Sequence, residues 1–168
     1  MANRKLTDIL KSAILLEVRG EAFYRKVAAD TENAGIKKIF AIMADEEVIH
    51  ADILREKFKE VVKTNKLSES GIPVNTEDVN AAGFVLSESM KNQIAGAGFE
   101  AAAISAAIDM ETKAITLYSE SAENAADENE KRLFSWLADW ERGHHKLLYE
   151  LDRDLKERIW NDNNFWPF

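Results

Sequence analysis

The feature that most constrains this chain is an internal duplication: residues 13–50 align without gaps on residues 107–144 at a constant offset of 94, with 11 of 38 positions identical. Average residue usage gives roughly two or three identities over such a length. The polar identities are Glu17/Glu111, Tyr24/Tyr118, Lys37/Lys131, Asp45/Asp139, Glu47/Glu141 and His50/His144. Repeated units of this size are single supersecondary elements that bury their apolar faces on each other. Within each copy the apolar residues recur at three- and four-residue steps, the period of an amphipathic helix. Leu6, Ile9, Leu10, Ala13, Ile14 and Leu16 lead to Ala22, Phe23 and Val27, and the run ends at Asp30, Thr31, Glu32 and Asn33. Ile36, Ile39, Phe40 and Met43 restart it.

The pattern predicts four helices at about residues 5–29, 36–62, 99–122 and 130–159. The expected fold is all-α: a four-helix bundle built from two helical hairpins, at about 5–63 and 99–160, joined by a long crossover over about 64–98. Gly71 and Pro73 interrupt the crossover, and a weakly amphipathic piece follows at about 79–94. At 168 residues the chain is expected to form one domain.

Glu47-Val48-Ile49-His50 and Glu141-Arg142-Gly143-His144 both read Glu-x-x-His. On a helix, side chains three residues apart project from one face and can reach one ion. Each motif is preceded, 30 residues earlier, by a glutamate in an apolar face: Glu17 beside Ala13 and Ile14, and Glu111 beside Ala107 and Ile108. Four inward carboxylates need compensation, because a lone buried carboxylate either costs several kcal/mol or takes up a proton. Two divalent cations would cancel the four negative charges, and two neutral imidazoles would complete the site. Oxygen and nitrogen donors in this mixture suit iron or manganese. The expected metal ligands are therefore Glu17, Glu47, His50, Glu111, Glu141 and His144. Tyr24 and Tyr118 lie two turns after Glu17 and Glu111 and are candidates to hydrogen-bond ligand carboxylates. Glu21, whose repeat partner is Ile115, reads as a partly exposed carboxylate. Glu46 and His145 point about 100° away from their ligand neighbours and read as solvated. The recurrence of Asp45 as Asp139 has no evident reason at this level.

Composition narrows the function further. A net charge of -8 disfavours nucleic acid, which needs clustered Lys and Arg. With no cysteine the chain has neither disulfides nor thiolate metal sites, which fits a cytoplasmic protein. Charged residues break the segment after the basic start, and the longest apolar run, AAAISAAI, is too short to span a bilayer, so no membrane association is expected.

One Glu from each of two helices plus Glu-x-x-His from each of the other two is the ligand pattern of ferritin-like di-iron bundles. Over about residues 5–155 the paired hairpins resemble the di-iron domain of the rubrerythrins. The resemblance implies a ferritin-like bundle with a carboxylate-bridged pair of iron ions, Fe2+ or Fe3+, with manganese or mixed metal as alternatives. It also implies reduction of hydrogen peroxide or oxygen. At the position three residues after the third-helix Glu, where rubrerythrins carry another carboxylate, this chain has Ala114. No cysteine-ligated rubredoxin-like module accompanies the bundle, so the resemblance points to a separate electron-donor protein. Oxidation of ferrous iron for storage at the same site, and a non-catalytic metal-binding bundle, are the alternative readings. A homo-oligomer, dimer or larger, is expected, and the aromatic tail at 161–168 would pack on the bundle or on a neighbouring subunit.

Overall fold

Four helices follow one another in the order set by the periodicity: α1, Ala2–Asp30; α2, Ala34–Thr64; α3, Phe99–Glu123; and α4, Glu128–Asp162. They are seen in a computed structural model that describes residues 2–73 and 98–162, and the side chains of 6–73 and 98–161. Among the described residues there is no strand, and the architecture is an all-α four-helix bundle of ferritin-like type. The amphipathic piece expected at 79–94 and the end of the tail, 163–168, lie outside the described residues.

α1 packs on α2 and α3 packs on α4, so each copy of the duplication is a hairpin, and α1 meets α3 between the hairpins. α1 and α3 run antiparallel, since Tyr24 reaches Glu111 while Tyr118 reaches Glu17. α1 buries a narrow stripe of Leu6, Leu10, Ala13, Glu17, Tyr24 and Val27. α3 buries Ala103 and then, in three- and four-residue steps, Ile104, Ala107, Glu111, Ala114, Tyr118 and Ser121. α2 and α4 bury wider arcs, with consecutive inward positions at Glu46–Glu47 and Trp140–Glu141. Two helices with broad apolar faces and two with narrow ones thus enclose the interior.

Side-chain caps set the turns. Asn33 accepts the Ile36 N–H at 3.0 Å and starts α2. Asp127 accepts the N–H groups of Asn129 and Glu130 at 2.9 and 3.0 Å, which starts α4 two residues earlier than the apolar period alone suggests. α2 ends at Asn65, whose left-handed backbone (φ 60°) lets its N–H reach the Val61 carbonyl. The first residues of the crossover are fixed to the bundle. Lys57, buried on α2, donates to the carbonyls of Ser68 and Ser70. Asn129 donates to the Leu67 carbonyl at 2.9 Å. Leu67 and Ile72 then enter the core.

The apolar core is in two parts. One contains Val27, Ile36, Phe40, Met43, Ile104, Leu148 and Leu151. The other contains Leu6, Leu10, Leu54, Val61, Leu133, Phe134 and Leu137. Between them runs a layer of buried acids and histidines. None of the helices described is long and apolar enough to cross a membrane.

Candidate metal centre

The polar layer arises because each stripe continues unbroken through a charged residue. Glu17 follows Ala13 at the next inward step of α1, and Glu111 follows Ala107 in the same way on α3. Glu47 with His50 on α2, and Glu141 with His144 on α4, are inward pairs one turn apart. All six are buried, none more than 3% exposed. They form two groups, Glu17, Glu47, His50 and Glu141 in one and Glu47, Glu111, Glu141 and His144 in the other. Within each group, one donor atom per residue lies within 4.8 Å of all the others, a spacing that could hold a metal ion.

Glu47 and Glu141 are common to both groups, and their oxygens divide between them. Nδ1 of His50 lies 3.0 Å from Oε1 of Glu141 and 3.5 Å from Oε2 of Glu47. Nδ1 of His144 lies 3.2 Å from Oε2 of Glu141 and 3.5 Å from Oε1 of Glu47. Glu17 serves only the first group, with Oε2 3.2 Å from His50 Nδ1, and Glu111 only the second, with Oε1 3.4 Å from His144 Nδ1. Glu47 and Glu141 could thus each offer one oxygen to either group, and Glu17 and Glu111 to one group only.

His50 Nδ1 meets Glu17 in a hydrogen bond, but other donor atoms of the cluster are close to one another without one. Both oxygens of Glu141 and Nδ1 of His144 are fully buried and make no aligned hydrogen bond among the described residues. A buried carboxylate with neither oxygen hydrogen-bonded is rare, and a cation between the groups removes the anomaly. The residues therefore fit a pair of metal ions.

Without cations the cluster must hold protons. Burial, reinforced by the charge of Glu141, pushes Glu111 up to about 8. Burial and the neighbouring Glu17 and Glu141 push Glu47 well above the carboxylate range. For His50 and His144 burial alone would favour the neutral ring, but Glu141 at His50 and Glu111 at His144 outweigh it and raise both. Burial opposes ionisation of Glu141 as well, yet the two imidazoles outweigh it and hold that carboxyl below its ordinary range.

The tyrosines reach across from one hairpin to the other: Tyr24 donates to Oε1 of Glu111, and Tyr118 to Oε1 of Glu17. Burial and the adjacent carboxylates raise both phenols well above their ordinary value, so both remain donors. Glu21 stays outside the cluster, paired with Arg25 at 3.4 Å. His145 is half-buried and stacks on Tyr149. Ala114 is buried and offers no donor.

Glu46 corrects the sequence reading. It is buried rather than solvated, and its Oε2 lies 2.5 Å from Nε2 of His144 and 3.3 Å from the Trp140 indole nitrogen. The repeat held the signal, because position 46 corresponds to Trp140, an aromatic that would hardly face water. Trp140 and Trp136 set their rings edge-on to His50, at 5.0 and 5.6 Å between centroids. Asp45 and Asp139 also acquire a role: each ties its hairpin together on the outer surface. Asp45 binds Arg25 of α1 at 2.8 Å. Asp139 binds Arg142, which reaches Ser119 of α3, the repeat equivalent of Arg25.

No curated protein and no solved structure gives a match to the chain. The rubrerythrin family model, in contrast, matches residues 8–97 and 102–162, a span that takes in both hairpins and all six residues of the cluster. By that match the chain belongs to the rubrerythrin family.

Proposed function

We propose that Glu17, Glu47, His50, Glu111, Glu141 and His144 hold two iron ions, and that the chain reduces hydrogen peroxide with electrons from an external donor protein. The observation that carries this reading is the sharing of the Glu47 and Glu141 oxygens between the two histidines. A carboxylate that offers one oxygen to each of two positions couples the ions there. When bound, two ferrous ions supply the two electrons for cleavage of the O–O bond, H2O2 + 2 Fe2+ + 2 H+ giving 2 Fe3+ + 2 H2O.

The chain's own residues contribute orientation and exclusion. The apolar clusters on either side of the polar layer keep bulk water away, which strengthens every charge interaction inside. Tyr24 and Tyr118 fix the terminal glutamates by hydrogen bonds from the opposite hairpin. Ala114 places no carboxylate one turn after Glu111, so no ligand exchange occurs at that position during the redox cycle.

The test is anaerobic loading followed by rapid mixing with peroxide. Two Fe2+ per chain should bind and oxidise faster than free Fe2+, and Glu141→Ala should lose at least one of them. Oxidation at the rate of free iron would overturn the peroxidase reading. Ferric mineral released in place of a soluble ferric centre would move the function to iron storage.

A further inference from the structure

The duplication makes the six cluster residues equivalent in pairs, but what stands behind the two histidines is not equivalent. On α4, Nε2 of His144, the nitrogen turned away from the cluster, meets Oε2 of Glu46 at 2.5 Å. Both groups are buried. The indole N–H of Trp140 approaches the same oxygen at 3.3 Å and orients the carboxylate. On α2, the matching atom, Nε2 of His50, is fully buried and has no hydrogen-bond partner among the described residues. The reason lies in the repeat. Position 46 carries Glu in the first copy, and its equivalent, position 140, carries Trp in the second. Each of these residues projects onto the histidine of the opposite hairpin: Glu46 onto His144, and Trp140 onto the ring of His50 at 5.0 Å. One histidine receives a carboxylate and the other an aromatic edge.

Resting on the metal reading above, we infer that Glu46 is a positioning residue that makes the two metal positions unequal, with the Glu111/His144 position the tighter and the first to fill. Glu46 is outside both donor groups. By accepting the Nε2–H of His144 it selects the tautomer whose Nδ1 lone pair faces Glu47, Glu111 and Glu141, and it holds the ring in that orientation. A carboxylate behind an imidazole also makes the ring a stronger donor. His50 has neither advantage. Its ring is held by packing against Trp136 and Trp140, and among the described residues no acceptor meets its Nε2 to fix that nitrogen as the protonated one.

The test is an anaerobic titration with Co2+, which does not change oxidation state on binding, followed by calorimetry and by the visible absorption of the bound ion. The wild-type chain should bind two Co2+ in two distinguishable steps. His50→Ala should remove the weak step and keep the tight one. Glu46→Ala should weaken the tight step by about ten- to hundred-fold while leaving the weak step in place. Glu46→Gln keeps an oxygen acceptor for Nε2–H without its charge, and should restore part of that loss. A general structural defect would lower both steps together and would not be repaired by Gln, so that outcome overturns the inference. A single step of two equal ions in the wild type also overturns it, and needs no variant to fold. Both results would leave the dinuclear reading standing, whereas failure of the wild type to bind Co2+ or Fe2+ at all would remove that reading and this inference together.

Discussion

Tyr118 and Tyr24 show how much of the cluster depends on single atoms. Tyr118 donates to one oxygen of Glu17, and the other oxygen of that carboxylate faces His50. Substitution of Tyr118 by Phe keeps the ring against Phe134 but leaves a buried oxygen without its donor. Such a deletion costs about 1–3 kcal/mol. Tyr118→Phe should lower the unfolding free energy of the metal-free chain by about that amount, as read by urea denaturation. An unchanged midpoint would show that Glu17 finds another partner. The main residues of the cluster were legible in the sequence, because a charged residue inside an apolar stripe, repeated 94 positions later, must be neutralised within the fold that buries it. Glu46 was not. The helical angle between Glu46 and Glu47 points to solvent only when the buried face is narrow, and on α2 it is wide enough to include both.

At the scale of the element, helix existence and pairing follow from periodicity, and the boundaries follow from capping side chains. Asn33 and Asp127 are readable cap types, so α2 and α4 begin where local chemistry allows. The start of the crossover is a different case. Lys57 is buried because the backbone carbonyls of Ser68 and Ser70 receive its ammonium, and Glu60 lies 3.2 Å from it. No pattern of side chains encodes a partnership with carbonyls 11 and 13 residues away. Hydrogen bonds from a charged donor contribute about 1.5–3 kcal/mol. Lys57→Met, close in length and apolar, should therefore destabilise the chain by about 1–3 kcal/mol in urea unfolding. Iron stoichiometry should stay at the wild-type value, since Lys57 touches none of the cluster residues. Loss of iron in this variant would mean that the crossover's first residues support the centre as well as the fold.

For the whole molecule, the consequence of placing a charged layer between two apolar clusters is that the fold is incomplete without something positive inside it. Protons fill that role when metal is absent, and their binding fixes the sign of the pH dependence. Glu111, raised to about 8 from an ordinary 4.5, binds its proton more tightly in the folded chain than in the unfolded one. Glu47 is raised in the same sense, and so are His50 and His144. A group raised on folding adds stability below its unfolded value, and that stability is lost as pH climbs toward the folded value. Glu141, lowered on folding, acts in the opposite direction, but its contribution is lost only as pH falls through the ordinary carboxylate range and below. Between pH 5 and 8 the raised groups decide, and the metal-free chain should melt at progressively lower temperature as pH rises. Metal ions need the same carboxylates ionised and the same imidazoles neutral, so protons compete with them and ion-dependent stabilisation grows with pH. The melting curves of metal-free and Mn2+-loaded chain should consequently lie close together near pH 5 and separate steadily toward pH 8, with protons released on loading in the upper part of that range. Calorimetric melts at matched ionic strength, together with metal titrations in two buffers of different ionisation enthalpy, measure both effects. Parallel melting curves with no proton release would mean that the buried acids are already ionised in the metal-free fold, and that something other than protons balances them.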